Sequence, residues 1–166
     1  IKVISGDNPA TVSAIAQKAG IEGAEDLIDA RTLLTEEDLH QAASQYTVFG
    51  RVTPEQKKSL VEGLQAKGHK VAMTGDGVND ILALKTADCS IAMESGNDAT
   101  KKMAQVVLLD SDFGKMPSIV AEGRRVVNNI QRSASLFLIK NIFSILLAIS
   151  VTLLAFTYPI MPSQMS

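Results

Sequence analysis

Lys70-Val71-Ala72-Met73 runs straight into Thr74-Gly75-Asp76-Gly77-Val78-Asn79-Asp80, and these residues decide the fold. The first four read as a strand, and Asp80 to Thr86 reads as a helix, so the polar cluster fills a strand-to-helix turn. Its glycines let the backbone turn tightly and approach a ligand closely. Asp76 and Asp80 offer hard oxygen ligands suited to Mg²⁺, which combines one or two carboxylates with waters and phosphate oxygens. Asn79 can donate a hydrogen bond to a phosphoryl oxygen without adding charge. A lone Gly-Asp-Gly would be an ordinary turn; seven such residues between a strand and a helix are more than a turn requires.

Outward from this stretch the same alternation continues. Upstream, Thr47-Val48-Phe49 predicts a strand and Pro54 to Lys67 a helix stopped by Gly68. Downstream come a strand at Ser90 to Met93, a helix at Asp98 to Ala104 and a strand at Val106 to Leu109. Nearer the start, Lys2 to Ile4 is a strand, Pro9 opens a helix over Ala10 to Ala19, and Leu27 to Ala30 is a short strand. Thr35 followed by Asp38 has the pattern of a cap for a helix over Glu36 to Ser44. Strands separated by helices of this length predict an α/β, Rossmann-like parallel sheet with helices on both faces. Ligands of such sheets lie beyond the carboxyl ends of the strands.

Two further clusters sit at strand ends. Ser5-Gly6-Asp7-Asn8 lies between a strand and a helix, where backbone N–H groups favour anions and the Ser5 hydroxyl adds a donor. Arg51-Val52-Thr53-Pro54-Glu55-Gln56-Lys57-Lys58 starts a helix at Pro54, from which Lys57 can reach a phosphate as a point charge. Taken separately, one is common turn chemistry and the other an exposed basic helix.

The chain has 166 residues, a formal net charge of −2 and 4% aromatic residues, which argues against nucleic acid as a partner. Its one cysteine, Cys89, excludes an internal disulfide and a thiolate zinc cluster. His40 and His69 have no partners at ligand spacing and read as structural or surface residues. From Asn141 to Ser166 there is no Asp, Glu, Lys, Arg or His. Leu136 to Tyr158 is apolar enough for a transmembrane helix. It continues a helical pattern that meets no strong breaker between Pro117 and Pro159. Lys115, Arg124, Arg125, Arg132 and Lys140 outnumber Asp112 and Glu122 on its leading side, which places that side in the cytoplasm. Lys140 can snorkel to the interface, and Asn141 is a candidate ligand on an ion path. Ser144, Ser150 and Thr152 read mainly as hydroxyls that satisfy backbone carbonyls. Because Ile1 to Ile4 reads as the middle of a buried strand, further sequence is expected upstream.

Ser-Gly-Asp, Arg-Val-x-Pro-x-x-Lys and Thr-Gly-Asp-Gly-Val-Asn-Asp, in that order, resemble the P-type cation-transporting ATPases of the haloacid dehalogenase-like superfamily. Ile91-Ala92-Met93 with Ser95-Gly96, and Glu122-Gly123-Arg124 leading to Asn128-Asn129-Ile130, fit the same family. The resemblance implies an ATP-driven cation pump with Mg²⁺ and ATP as cofactors. Its implied partners are a transported cation, the lipid bilayer and the remaining domains of the same pump. It implies an integral membrane protein, of the plasma membrane, with its catalytic domain in the cytoplasm.

Residue by residue, Ser5 would bind the transferred phosphoryl group, with Gly6 in the same turn, and Asp7 would contact nucleotide or hold the hinge side. Lys57 would neutralise phosphoryl charge, Asp76 would ligate Mg²⁺, and Asn79 and Asp80 would orient the metal site and the phosphoryl group. The family's nucleophilic aspartate belongs to an Asp-Lys-Thr-Gly-Thr stretch that does not occur in these residues, so this chain alone is expected to be inactive. The expected organisation is the C-terminal part of a phosphorylation domain over 1–112 and a stalk helix over 113–135. A membrane helix over 136–158 and a loop over 159–166 complete it. Two departures stand out: Ile81-Leu82-Ala83-Leu84-Lys85 replaces the family's Ala-Pro-Ala-Leu-Lys, and Ser144 stands near where calcium pumps carry a Glu. The ion is therefore open, with Asn141 and Ser144 as candidates on its pathway. The alternatives are a soluble phosphatase of the same superfamily and a non-catalytic membrane-anchored interaction module.

Overall fold

The structure is a computed structural model that describes residues 1–154; the end of the expected membrane span and the loop expected over 159–166 lie outside the described residues. It divides into two compact units, one over Ile1–Phe113 and one from Gly114 onward.

In the first unit, β1 (Val3–Ile4), α1 (Pro9–Lys18), β2 (Leu27–Asp29), α2 (Glu36–Gln45) and β3 (Val48–Gly50) come first. There follow α3 (Pro54–Ala66), β4 (Ala72–Gly75), α4 (Ile81–Thr86), β5 (Cys89–Met93), α5 (Asp98–Met103) and β6 (Val106–Leu108). Every strand pair is parallel, and helices cover both faces, as the alternation predicts. Instead of one continuous ladder, however, there are two three-stranded sheets, ordered β1-β3-β2 and β4-β5-β6. α3 carries the chain from one to the other, packing against both α2 and α4. A cleft of about 450 Å³ opens beside it, lined by Lys2 and Ile4 from the β1 side and Val71, Ala72 and Met73 from the β4 side.

The two-residue period of a strand explains the two covered faces. Val48 faces α1 and packs with Val12 and Ala16. Its neighbour Phe49 points the other way, into Leu39, Ala42 and Ala43 of α2 and Leu60 of α3. Both are essentially fully buried, and each such side chain stabilises by about 1.5–3 kcal/mol.

Caps set where the helices start. Asn8 Oδ1 accepts from the N–H of Ala10 before α1, and Pro9 fills its first position. Thr35 with Asp38, and Thr53 with Gln56, close reciprocal capping boxes before α2 and α3. β4 lies two residues later than the apolar run suggests. Asp88 takes Lys70 and the N–H of Val71 out of the ladder, so pairing begins at Ala72 with Cys89.

The second unit contains α6 (Met116–Leu154), a single helix through Gly123, about 58 Å long at 1.5 Å per residue. Among the described residues it is the one helix long and apolar enough to cross a membrane. The Ser144, Ser150 and Thr152 hydroxyls donate to the carbonyls of Lys140, Leu146 and Ala148, one turn back.

Candidate functional site

The turn after β1 is tied to the turn after β3. Val52 N–H donates to Ser5 O at 3.0 Å, and Arg51 N–H donates to Asp7 O at 2.8 Å. Arg51 adopts φ +55°, a left-handed backbone that costs a non-glycine residue about 1–2 kcal/mol. Its guanidinium donates to Asp29 Oδ2 at 2.7 Å, and Arg31 reaches the same oxygen at 2.8 Å. The Arg31 guanidinium first, and that of Arg51 after it, hold the Asp29 carboxyl well below the usual carboxylate range. This brace, from Asp29 at the end of β2 through Arg51, orders the chain around Ser5. Within that loop the Asp7 N–H donates to Ser5 Oγ at 3.1 Å, and Ser5 Oγ donates to Asp7 Oδ2 at 3.2 Å. Ser5 is half-buried, whereas Gly6 and Asp7 are exposed.

A second tie joins the ends of β3 and β4. Lys57, one turn into α3, places Nζ 2.6 Å from Oδ1 of Asp80. The side chains are only 11% and 10% exposed, so this is a desolvated ion pair. Oδ2 of Asp80 accepts the Gly77 N–H at 3.2 Å, which occupies both carboxylate oxygens. Gly75 has no room for a side chain here, because a Cβ would sit 2.6 Å from Asp80 Cβ. Lys58 turns away and pairs with Glu62 along the helix. Asp76 and Asn79 are exposed at the same turn, and the carboxylate of Asp76 has no ion pair or hydrogen-bond partner among the described residues.

The ties run from Ser5 through Val52 to Lys57 and Asp80, so the three sequence clusters meet along the carboxyl ends of β1, β3 and β4. The result is a rim with one fixed cation, one unclaimed carboxylate, a hydroxyl and amide donors. It can hold a phosphoryl group beside a hard divalent ion. Among the described residues no cluster of three or more acidic, His or Cys side chains could cage a metal unaided. A rim carboxylate that shares its ion with phosphate oxygens and water is the pattern of Mg²⁺.

Asn141 and Ser144 are carried by α6 in the other unit. His40 packs beside Gly63 at the α2–α3 contact, His69 lines the cleft beside β4, and Cys89 is a free thiol at the start of β5. Sequence reasoning passed over Asp29, and gave Arg51 no role. Their pairing spans 22 residues, and the only local signal was an acidic residue at a strand end.

Residues 1–88 match the model of haloacid dehalogenase-like hydrolases. A probable cation-transporting ATPase of Streptococcus pneumoniae is 55% identical over 90% of this chain. The calcium-transporting ATPase CtpE of Mycobacterium bovis is 53% identical over 91% of it. The chain spans 19% of the length of each of these relatives. Among solved structures, a zinc-transporting PIB-type ATPase superposes with a TM-score of 0.68 at 27% identity, covering 94% of this chain and 21% of that one. The resemblance to P-type ATPases carried by the motifs is thus borne out along nearly the whole chain.

Proposed function

The chain belongs to the haloacid dehalogenase-like hydrolase family, and from that premise we propose that it is the phosphate-handling segment of a P-type cation pump. The observation that carries this is the buried Lys57–Asp80 pair, which bridges two strand ends and leaves the carboxylate of Asp76 unclaimed beside it. A phosphoryl group at this rim meets a cation held in a fixed place, so its charge is stabilised without reorganisation at the moment of transfer.

Ser5 binds the phosphoryl group with its hydroxyl, in the turn it shares with Gly6, and Asp7 holds that turn on the nucleotide side. Lys57 neutralises the equatorial oxygens, and Asp80 keeps the ammonium from swinging into water. Asn79 donates to a phosphoryl oxygen. Asp76 is the metal ligand, with Asp80 next to it; Mg²⁺ bound there supplies charge neutralisation of the phosphoryl oxygens. ATP is the phosphoryl donor, and a cation is the cargo. The nucleophilic aspartate comes from a strand elsewhere in the same pump. The cleft between β1 and β4 suits such a strand, because both facing strands stand at the end of their sheets and have main-chain groups to offer.

The organisation follows from the same proposal: 1–112 as the phosphorylation-domain part, 113–135 as stalk, 136–158 as membrane helix and 159–166 as loop. The pump lies in the plasma membrane with its catalytic part in the cytoplasm, and Asn141, with Ser144 a turn away, stands on the ion path. A soluble phosphatase of the family is disfavoured. Matches to ion pumps over 90% of the chain extend well past the phosphate-handling part, into the apolar helix. The test is Asp76→Asn in the full-length pump, measured as Mg²⁺-dependent incorporation of phosphate from ATP. Loss of the phosphoenzyme is expected, and unchanged phosphorylation would remove Asp76 from the metal site.

A further inference from the structure

Asp76 stands between two glycines, Gly75 and Gly77, so no neighbouring side chain in its own turn restrains its main chain. Its place is held from outside, by the turn that follows β5. The N–H of Asn97 donates to the Asp76 carbonyl at 2.8 Å, and the N–H of Gly96 donates to Met93 O at 3.0 Å. A Cβ on Gly96 would lie 2.7 Å from Asp76 O, 3.0 Å from Asp76 Cα and 3.0 Å from Met93 O. All three are main-chain atoms, which a flexible side chain's retreat cannot relieve. Glycine is needed here for close approach, since Gly96 is not among the residues of positive φ.

The turn is itself anchored on both sides. The Asn97 side chain caps α5 by accepting from Ala99 N–H at 2.8 Å, and Lys101 ties back to the Glu94 carbonyl at 3.1 Å. On the other flank, Ser95 N–H donates to Ser111 Oγ at 3.0 Å. A turn anchored on both flanks therefore meets the main chain of Asp76, the residue whose carboxylate is free.

We propose that Gly96 and Asn97 are positioning residues, a main-chain brace that sets the carboxylate of Asp76 in place to receive a divalent cation. The inference rests on Asp76 as the metal ligand of the proposed pump. Removing such outer supports weakens metal affinity about 10- to 100-fold, because the ligand must then be ordered at the expense of binding.

Three variants of the full-length pump separate the brace from general stability. Gly96→Ala pushes Asp76 away. Asn97→Pro deletes the N–H, and the φ of −67° at this position already suits proline. Asn97→Ala removes only the helix cap and keeps the N–H. Mn²⁺ is the probe, with free ion counted by electron paramagnetic resonance and Asp76→Asn as the baseline for all other sites. Gly96→Ala and Asn97→Pro are expected to raise the Mn²⁺ dissociation constant by about tenfold or more. Asn97→Ala should leave it within about twofold, since a lost cap costs stability and not ligand placement.

Unchanged Mn²⁺ binding in a folded Gly96→Ala or Asn97→Pro protein overturns the brace. So does an equal loss in Asn97→Ala, which would make the turn merely structural. If Gly96→Ala does not fold, as read by thermal unfolding, Asn97→Pro decides. Should Asp76→Asn bind Mn²⁺ as the unaltered pump does, the metal assignment fails and the brace falls with it. Loss of binding in Asp76→Asn with no loss in Gly96→Ala or Asn97→Pro overturns the brace alone.

Discussion

Replacing Lys57 by methionine isolates the contact on which the site depends. Nζ lies 2.6 Å from Asp80 Oδ1, and the two side chains are 11% and 10% exposed. Without the ammonium, Asp80 retains one donor, the Gly77 N–H at 3.2 Å. Stranding one member of a buried pair costs about 3–5 kcal/mol, because the remaining charge is desolvated with nothing to offset it. At roughly 4 °C per kcal/mol for a domain of this size, that is a loss of about 12–20 °C in Tm. Asp80→Asn should cost less, because the long lysine stem can carry its charge to water. In Lys57→Met with Asp80→Asn the stranded charge is gone, and Asn keeps an acceptor for Gly77. This double variant should recover most of the loss, with a coupling of about 2–3 kcal/mol. Thermal and urea unfolding followed by far-ultraviolet circular dichroism give all four corners of the cycle. A coupling below about 0.5 kcal/mol would mean that the two residues act independently, and Asp80 could not be what holds Lys57 in place.

Two further outcomes are expected. Hydrogen bonding from Lys70 above all, with the Val71 N–H and Gln65 behind it, holds the Asp88 carboxyl below its ordinary pKa of 3.8. A depressed carboxyl stabilises the fold above the unfolded pKa and loses that contribution as pH falls through the folded one. The Tm gap between wild type and Asp88→Asn should therefore stay constant near neutral pH and shrink only below 3.8, and a gap that shrinks already at pH about 6 would point to another group. In the full-length pump, Asn141→Ala should raise the cation concentration for half-maximal ATPase stimulation about tenfold, the effect of losing roughly 1.4 kcal/mol. Unaltered ion stimulation would take Asn141 off the ion path.

Strand and helix alternation was legible because its signals are local. A two-residue period put Val48 and Phe49 on opposite faces, and Thr53, Pro54 and Gln56 mark a helix start within four residues. Helix α6 was equally plain, since length and apolarity are properties of one continuous segment. The split into two sheets was not legible. Apolar runs say that strands exist, and only packing against α3 shows that β1 and β4 flank a cleft instead of each other.

Around Thr74 to Asp80 the division is sharper. The sequence by itself determined the chemistry available: two carboxylates, an amide and turning glycines after a strand, with a lysine and a serine in matching turns. Residue type and spacing carry that information, because each turn is built from neighbours along the chain. Only the tertiary structure decided the assignments among those groups. Asp80 is bound to Lys57 from 23 residues away, while the carboxylate of Asp76 stays free and its main chain is met by Asn97 across 21 residues. The physical reason is burial. Asp80 lies in a desolvated place that demands a counter-charge, whereas Asp76 remains in water with its oxygens open to a ligand.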